Sequence, residues 1–493
     1  MVHSMLRVLE MPKFLIWLNN TIRNQKRLNH MRKIFLFFIF SILLFSPIIL
    51  SNSSAALTKA TNENSPRTKA HVCGDRLCET SVYQQGLPSF KMIPLNLQTI
   101  DLTVSHLEIT QAIQDEDNTV PLVKEKKTWV RIFVEADNKE QSIPNVTAKL
   151  YRLDSNENIV STINPYSGPI TVSSTSFDYQ RRHVDSTINF ELPNSWTKGQ
   201  LTIKVELNPA LNDGSHIIKE KNYKNNWYEP VKFSFIKTKP LKVNFHSVTV
   251  DRDWCDKPNR LDLEKILDDF TLRVFPVASY DVNQDSSIEV DNVPGPNGNG
   301  LWLLEGRLLW EQCKNYPTKC LFGSLRSSPE RIEFGLVCSQ NPPARSSSGM
   351  GYQGKAWAYP DPEIVAHEIA HSKDVWHVPI TPTSRFDGND GSDNPRWYKK
   401  VDSHTITCQD SRPAHDVAGL STGQWFEDRS YPDYGRELHR PSIGEFGFDG
   451  KRVYEPEMFS DFLSYCSTND SAHDGKWVSP HTYKKLLAKF RTS

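Results

Sequence analysis

Four side chains in the last third of the chain have types and spacing that could do chemistry together. His367, Glu368 and His371 fall within one pentapeptide, and His377 follows six residues after His371. On an α-helix, residues four apart lie one above the other. His367 and His371 can therefore offer imidazole nitrogens to one tetrahedral metal ion, at about 2.1 Å each. Glu368, beside them, is placed to take a proton from a water on that metal. His377 cannot reach the same ion if the helix continues, so the spacing requires a turn at Lys373, Asp374 and Val375. Three neutral imidazoles would leave one position on a zinc ion for water, and Glu368 would serve as general base and then acid. Asp361 and Pro362 supply the helix start, an N-cap acceptor followed by proline at the first helical position.

These residues resemble the metzincin signature H-E-x-x-H-x-x-G-x-x-H, with the glutamate and all three histidines in register. Asp374 stands where that family has glycine. Glycine there permits a left-handed backbone, and aspartate is among the few other residues that tolerate it. Further on, Asp461, Phe462, Leu463, Ser464 and Tyr465 resemble the family's methionine turn, with Leu463 in the methionine position, an exchange that nearly conserves volume. The resemblance implies that Tyr465 stands where the astacins and serralysins place a tyrosine that ligates the metal at rest or steadies the oxyanion. The alternative is a buried tyrosine beside a disulfide at Cys466. Gly349, Met350, Gly351 and Tyr352 fall where the family has an edge strand that holds substrate by backbone pairing, with a plain turn as the other reading. Ser479 and Pro480 start a closing helix with Tyr483, Leu486, Leu487 and Phe490 on its inner face. The resemblance spans roughly residues 241–493 and is close only at the two motifs. It implies a zinc metalloendopeptidase with His367, His371 and His377 as ligands of one catalytic Zn2+, and Glu368 and Tyr465 as catalytic residues.

The rest of the chain must position and deliver this site. Its 493 residues suggest two folded domains after any leader. Lysine plus arginine and aspartate plus glutamate each number 58, so no global charge draws the chain to nucleic acid or to an anionic membrane. Arg32 and Lys33 precede an apolar run over positions 34–45, and small residues including Ser54 and Ala56 follow. That pattern reads as a signal peptide over 1–56, with Met31 as an alternative start and an uncleaved membrane anchor as the competing reading. Eight cysteines, all beyond this segment, agree with export and disulfides. Cys73 with Cys78, and Cys313 with Cys320, are candidate local pairs.

Residues 57–95 read as a linker or pro-segment. From 96 to 238 the pattern alternates with period two, as in Val130, Ile132 and Val134, or Leu201, Ile203, Val205 and Leu207. It predicts an all-β Ig-like sandwich. From 239 to 493, strand-like segments at 243–250, 272–277, 332–337 and 355–359 alternate with helical spacing at Leu263, Ile266, Leu267 and Phe270. This predicts an α/β (α+β) metzincin-like domain, and a multidomain chain as a whole.

Weaker signals are two candidate Ca2+ loops, Asp387, Asp390 and Asp393, and Asp281, Asn283 and Asp285, with solvated turns as the alternative. Cys73 or Asp75 could block the zinc in a latent form, against a local disulfide at Cys73. The functional expectation is a secreted zinc endopeptidase acting on extracellular protein or peptide, with membrane attachment only if the leader stays uncleaved. The alternatives are a secreted or surface binding protein with a vestigial or structural metal site, and hydrolysis of a non-peptide amide.

Overall fold

The computed structural model describes residues 100–138, 141–250, 256–290, 300–316, 330–338, 349–378, 396–401, 404–409, 430, 432, 442–464, 466–468 and 475–492. They belong to one compact unit, Ile93–Ser493. The leader, the linker, Cys73, Asp75, Cys78, Cys255, Cys320, Tyr465 and the acidic run at Asp387, Asp390 and Asp393 lie outside the described residues. For Cys408 and Cys466 only strand backbone is described. Cys313 and Cys338 are both disulfide-bonded. Among the described residues no helix is long and apolar enough to cross a membrane.

The alternating segments form strands because β-branched and other apolar residues at every second position give each strand one face to bury. In Gln200–Leu207 the side chains of Leu201, Ile203, Val205 and Leu207 are buried while those between them stay half-exposed. This strand pairs antiparallel with Ala148–Leu153 and Trp227–Ile236. Leu102–Thr110, Trp129–Ala136 and Ile188–Glu191 form a second, three-stranded sheet. Residues of the two sheets, among them Ile109, Ile132, Leu150 and Ile203, share one apolar core.

The expected fold class, an all-β Ig-like sandwich followed by an α/β metzincin-like domain, is not what the structure shows. The described chain is mostly strand, in several small mixed sheets with few helices. Leu122–Val123 pairs parallel with Trp227–Ile236. Ile113–Gln114 leaves the first half to pair with Phe446–Phe448, which Val453–Tyr454 extends. Trp477 donates its indole N–H to the Ala112 carbonyl at 2.8 Å, and the ring of Trp129 meets that of Phe448 edge-on. A period-two pattern fixes which face of a strand is buried but not which distant strand it pairs with. For that reason these cross-connections were not readable in advance.

The sheet that carries the site runs Tyr280–Gln284, Leu241–Val250, Arg331–Val337 and Lys355–Ala358, all parallel, with Gly349–Tyr352 antiparallel at its edge. Parallel strands are covered on both faces and read as nearly continuous apolar runs. Val243, Phe245, Phe334 and Leu336 share a core with Phe270, Ala366 and Ile369. Val248, Val337 and Trp357 share a second one with Leu304 and Leu308 of the helix Gly300–Asn315.

Two local readings change. The strand expected at 272–277 begins instead as helix. A capping box between Asn259 and Asp262 launches the helix Arg260–Ile266, which passes through a π-helical segment, Leu267–Thr271, into Leu272–Val274. Short apolar runs of this kind do not distinguish strand from buried helix. Asp281 and Asn283, read as a candidate Ca2+ loop, lie in the strand Tyr280–Gln284, where Arg331 holds the Asp281 carboxylate.

Candidate metal centre

The motif helix is Pro362–Ser372. Its N-cap Asp361 accepts from the backbone N–H groups of Glu363 and Ile364 at 2.9 and 3.1 Å, satisfying two orphan donors of the first turn. The helix ends directly after its second histidine. Asp374 takes the left-handed conformation with φ of +57°, as its place in the motif predicts. The N–H of Asp374 donates to the His371 carbonyl at 2.9 Å and that of Val375 to the Ala370 carbonyl at 3.2 Å. This is the Schellman arrangement, and it satisfies the last carbonyls while reversing the chain. Val375 and Ala370 are both buried in the same core.

That reversal brings His377 back over the helix. The Nε2 atoms lie 2.8 Å apart between His371 and His367, 2.9 Å between His371 and His377, and 3.1 Å between His367 and His377. His367 Nδ1 donates to the Phe462 carbonyl at 2.9 Å, and His371 Nδ1 donates to the Val375 carbonyl at 2.7 Å. A carbonyl oxygen only accepts, so each of these Nδ1 atoms carries its ring's proton, and Nε2 of His367 and of His371 presents a lone pair. Burial drives His371 down to about 4. It holds His367 and His377 well below 6.5, with neighbouring histidines and the Lys476 ammonium adding to the effect. All three imidazoles are therefore neutral near pH 7.

Lone pairs facing each other at 2.8 Å repel unless a cation stands between them. His367, His371 and His377 form a group that could hold a metal ion. Their spacing fits one ion, although it is shorter than the roughly 3.4 Å edge of an ideal tetrahedron with bonds of about 2.1 Å. The backbone carbonyls of Phe462 and Val375 fix the tautomer and orientation of the His367 and His371 rings, as outer partners do where histidines hold a metal.

The described part of the predicted turn, 461–464, is joined to this cluster through the Phe462 carbonyl. Asp461 organises it: one carboxylate oxygen accepts from the Leu463 N–H at 2.9 Å, and the other from the N–H of Ser479, the N-cap of the closing helix Pro480–Phe490, at 3.0 Å. Leu463 is fully buried in the core, and its carbonyl accepts from the Val378 N–H, next to His377. Tyr465 lies outside the described residues.

Glu368 is 7% exposed. Burial pushes its carboxyl well above the usual carboxylate range, and the Lys476 ammonium pulls the other way. The segment Gly349–Tyr352 is the antiparallel edge strand, not a turn, and it lies against this residue. A Cβ on Gly349 would stand 2.6 Å from Glu368 Cγ, and one on Gly351 would stand 2.0 Å from the Glu368 carbonyl oxygen. Only glycine lets the strand approach the helix this closely.

Sequence reasoning missed Lys476, which lies in the short strand Lys476–Trp477 and donates from Nζ to the Ser464 carbonyl at 3.2 Å. A single lysine in a segment without periodicity carries no signal. A second group that could hold a metal is His246, Asp285 and Glu333. Its buried members are already engaged. His246 Nδ1 meets the Ser286 carbonyl, His246 Nε2 meets Glu333 Oε2, and Glu333 Oε1 accepts from Asn244 and Asn315, all at 2.9 Å.

Comparison with known proteins leaves the site to speak for itself: no protein-family model matches the chain, and no curated protein matches it.

Proposed function

We propose that this protein is a zinc-dependent endopeptidase. The observation that carries the reading is the convergence of three buried imidazole Nε2 atoms within 3.1 Å of one another, beside the buried carboxyl of Glu368. Three neutral nitrogen donors with a position left over are the donor set of hydrolytic zinc sites. A zinc ion held by His367, His371 and His377 would supply Lewis acidity, polarising a carbonyl and lowering the pKa of a water toward about 7.

The protein's own groups do the remainder. The carbonyls of Phe462 and Val375 keep the rings of His367 and His371 aimed. Glu368 takes the proton of the attacking water on its carboxylate and returns it to the leaving amine. Its burial keeps bulk water from competing for that proton. Among the described residues no second strand pairs with Gly349–Tyr352, which lies directly against Glu368, and its outer edge would offer backbone N–H and C=O groups to an extended chain, which favours peptides over other amides. The N-terminal leader pattern and the disulfide-bonded Cys313 and Cys338 support an exported enzyme acting on extracellular protein or peptide.

The test is metal analysis of the purified protein, together with digestion of casein and of a proteome-derived peptide library. Stoichiometric zinc and hydrolysis are expected, with Glu368→Ala keeping the zinc and losing at least about a hundredfold in rate. Zinc retained without any hydrolysis in the wild type would instead make this a binding protein with a structural metal site.

A further inference from the structure

We propose that Trp477 is a positioning residue of the metal centre, through which the β-rich first half of the chain holds the aim of His367. The inference rests on the metal-binding part of the reading above and does not depend on hydrolysis.

The connection is an unbroken run of hydrogen bonds. Ala112 lies between the strands Leu102–Thr110 and Ile113–Gln114, and its carbonyl accepts from the Trp477 indole N–H at 2.8 Å. The Trp477 carbonyl accepts from the Phe462 N–H at 2.7 Å, beside the parallel pairing of Lys476–Trp477 with Ser460–Asp461. The Phe462 carbonyl accepts from His367 Nδ1 at 2.9 Å, which leaves Nε2 of that ring facing the other two imidazoles. Phe462 is thus held at both of its backbone polar groups, by Trp477 on one side and His367 on the other.

Trp477 has little room to give way. It is fully buried, its ring stacks on that of Tyr454 with centroids 3.7 Å apart, and it meets the Phe270 ring edge-on. The strand Phe446–Phe448 pairs with Ile113–Gln114, and a Cβ on its Gly447 would stand 2.4 Å from the indole Nε1. Glycine at 447 lets strand and indole converge on one acceptor: the Phe448 N–H also donates to the Ala112 carbonyl, at 2.9 Å. Close-packed interiors transmit strain rather than absorb it. A displaced indole therefore moves the strand Lys476–Trp477, the Phe462 backbone and the His367 ring together. His371 supplies an internal comparison, because its Nδ1 bonds to the Val375 carbonyl four residues on and its aim is set locally.

The experiment uses the full chain and compares wild type with Trp477→Phe, Gly447→Ala and Trp196→Phe. Trp477→Phe removes the indole N–H and keeps an aromatic ring, and Phe448 still satisfies the Ala112 carbonyl, so no buried acceptor is orphaned. Gly447→Ala leaves Trp477 in the sequence but pushes its indole aside, and it carries the test if Trp477→Phe folds poorly. Trp196→Phe makes the same exchange at a buried tryptophan in the core of the two β sheets, as a control for stability alone. The measurements are zinc affinity by chelator competition, urea unfolding, and the Nδ1–H resonances of His367 and His371 in metal-free protein carrying nitrogen-labelled histidine. Trp477→Phe and Gly447→Ala should each lower zinc affinity about tenfold, and shift the His367 resonance while that of His371 stays in place. Trp196→Phe should lower the urea midpoint and change neither. A lower urea midpoint in the folded Trp477 and Gly447 variants, with zinc affinity and the His367 resonance as in wild type, overturns the positioning role and leaves the metal centre intact. Equal shifts at His367 and His371 also overturn it, because the disturbance would then be general. Absence of zinc binding by the wild type overturns the metal reading and this inference with it.

Discussion

His367 donates its Nδ1–H to the carbonyl of Phe462, 95 residues further along the chain, at 2.9 Å. The bond joins the motif helix to the turn organised by Asp461 and makes the aim of one metal-facing nitrogen depend on the shape of that turn. Asp461 holds two backbone N–H groups, one on each carboxylate oxygen. Asp461→Asn keeps the volume but replaces one acceptor by a donor. Loss of outer partners of this kind costs about 10–100-fold in metal affinity. A fall of that size is expected for Asp461→Asn by chelator competition, with the histidines untouched.

Asp374 provides a test of the reversal that recruits His377. Its φ of +57° is a conformation that costs most residues about 1–2 kcal/mol. Asp374→Gly should fold at least as stably as wild type. Asp374→Val should lose about 1–2 kcal/mol or more in urea unfolding, and it should weaken metal binding as the His377 ring shifts. Equal behaviour of the two variants would show that the turn is not set by this backbone angle.

The parts of the site that were legible in sequence are those set by local rules. The cap at Asp361, the i, i+4 pair of histidines, the stop at Asp374 and the helix start at Ser479 each follow from residues within one or two turns of one another. The turn at 461–465 was legible only through its resemblance to a known pattern, and Tyr465 stays outside the described residues. The Phe462 carbonyl reaches His367, and the Lys476 ammonium reaches the Ser464 carbonyl, through contacts and strand pairing between segments far apart in the chain, which no periodicity encodes. The same limit explains the fold. Alternation marked Leu201, Ile203, Val205 and Leu207 as one buried face, but it could not foresee that Ile113 would pair with Gly447. Nor could it show that Trp129 would fill the place of a side chain at Gly450, where a Cβ would fall 1.9 Å from the ring.

The edge strand is the next point of attack. A methyl group at Gly351 would overlap the Glu368 carbonyl oxygen, which is helix backbone and cannot rotate away. Overpacking of this kind typically costs about 1–3 kcal/mol. Gly351→Ala should show that loss by urea unfolding and should also lower hydrolysis, because Glu368 moves with its helix. Gly349→Ala meets the flexible side chain of Glu368, so it should cost less stability while still lowering the rate.

The buried pair of His246 and Glu333 makes stability depend on pH. Burial works against the charged imidazole, but the Glu333 hydrogen bond, the Ser286 carbonyl and the charges of Glu333 and Asp285 outweigh it and hold His246 above 6.5. The folded state therefore binds this proton more tightly than the unfolded chain does. The stabilisation is fully present below pH 6.5 and is lost as pH rises through the folded value. Urea unfolding across pH 5.5–9 should show this decline in the wild type. It should be absent from His246→Gln, which cannot titrate. A wild-type profile parallel to that of His246→Gln would remove the pair from the account.

Metal removal tests the centre as a whole, without reference to any substrate. In the metal-free protein the Nε2 lone pairs of His367 and His371 face each other at 2.8 Å, a contact the unfolded chain escapes. A bound dication turns that repulsion into two bonds, so folding and metal binding must be linked. A ligand held only by the folded state stabilises it by about 4 kcal/mol when present at a thousand times its Kd. Scanning calorimetry of chelator-treated protein should therefore show Tm climbing with the logarithm of added zinc. His377→Ala removes one of the three donors and should flatten that dependence, while Glu368→Ala should preserve it, since the carboxyl is not a ligand. A Tm indifferent to zinc in the wild type would mean that the three rings meet for packing alone, and the hydrolytic reading would fall with the metal.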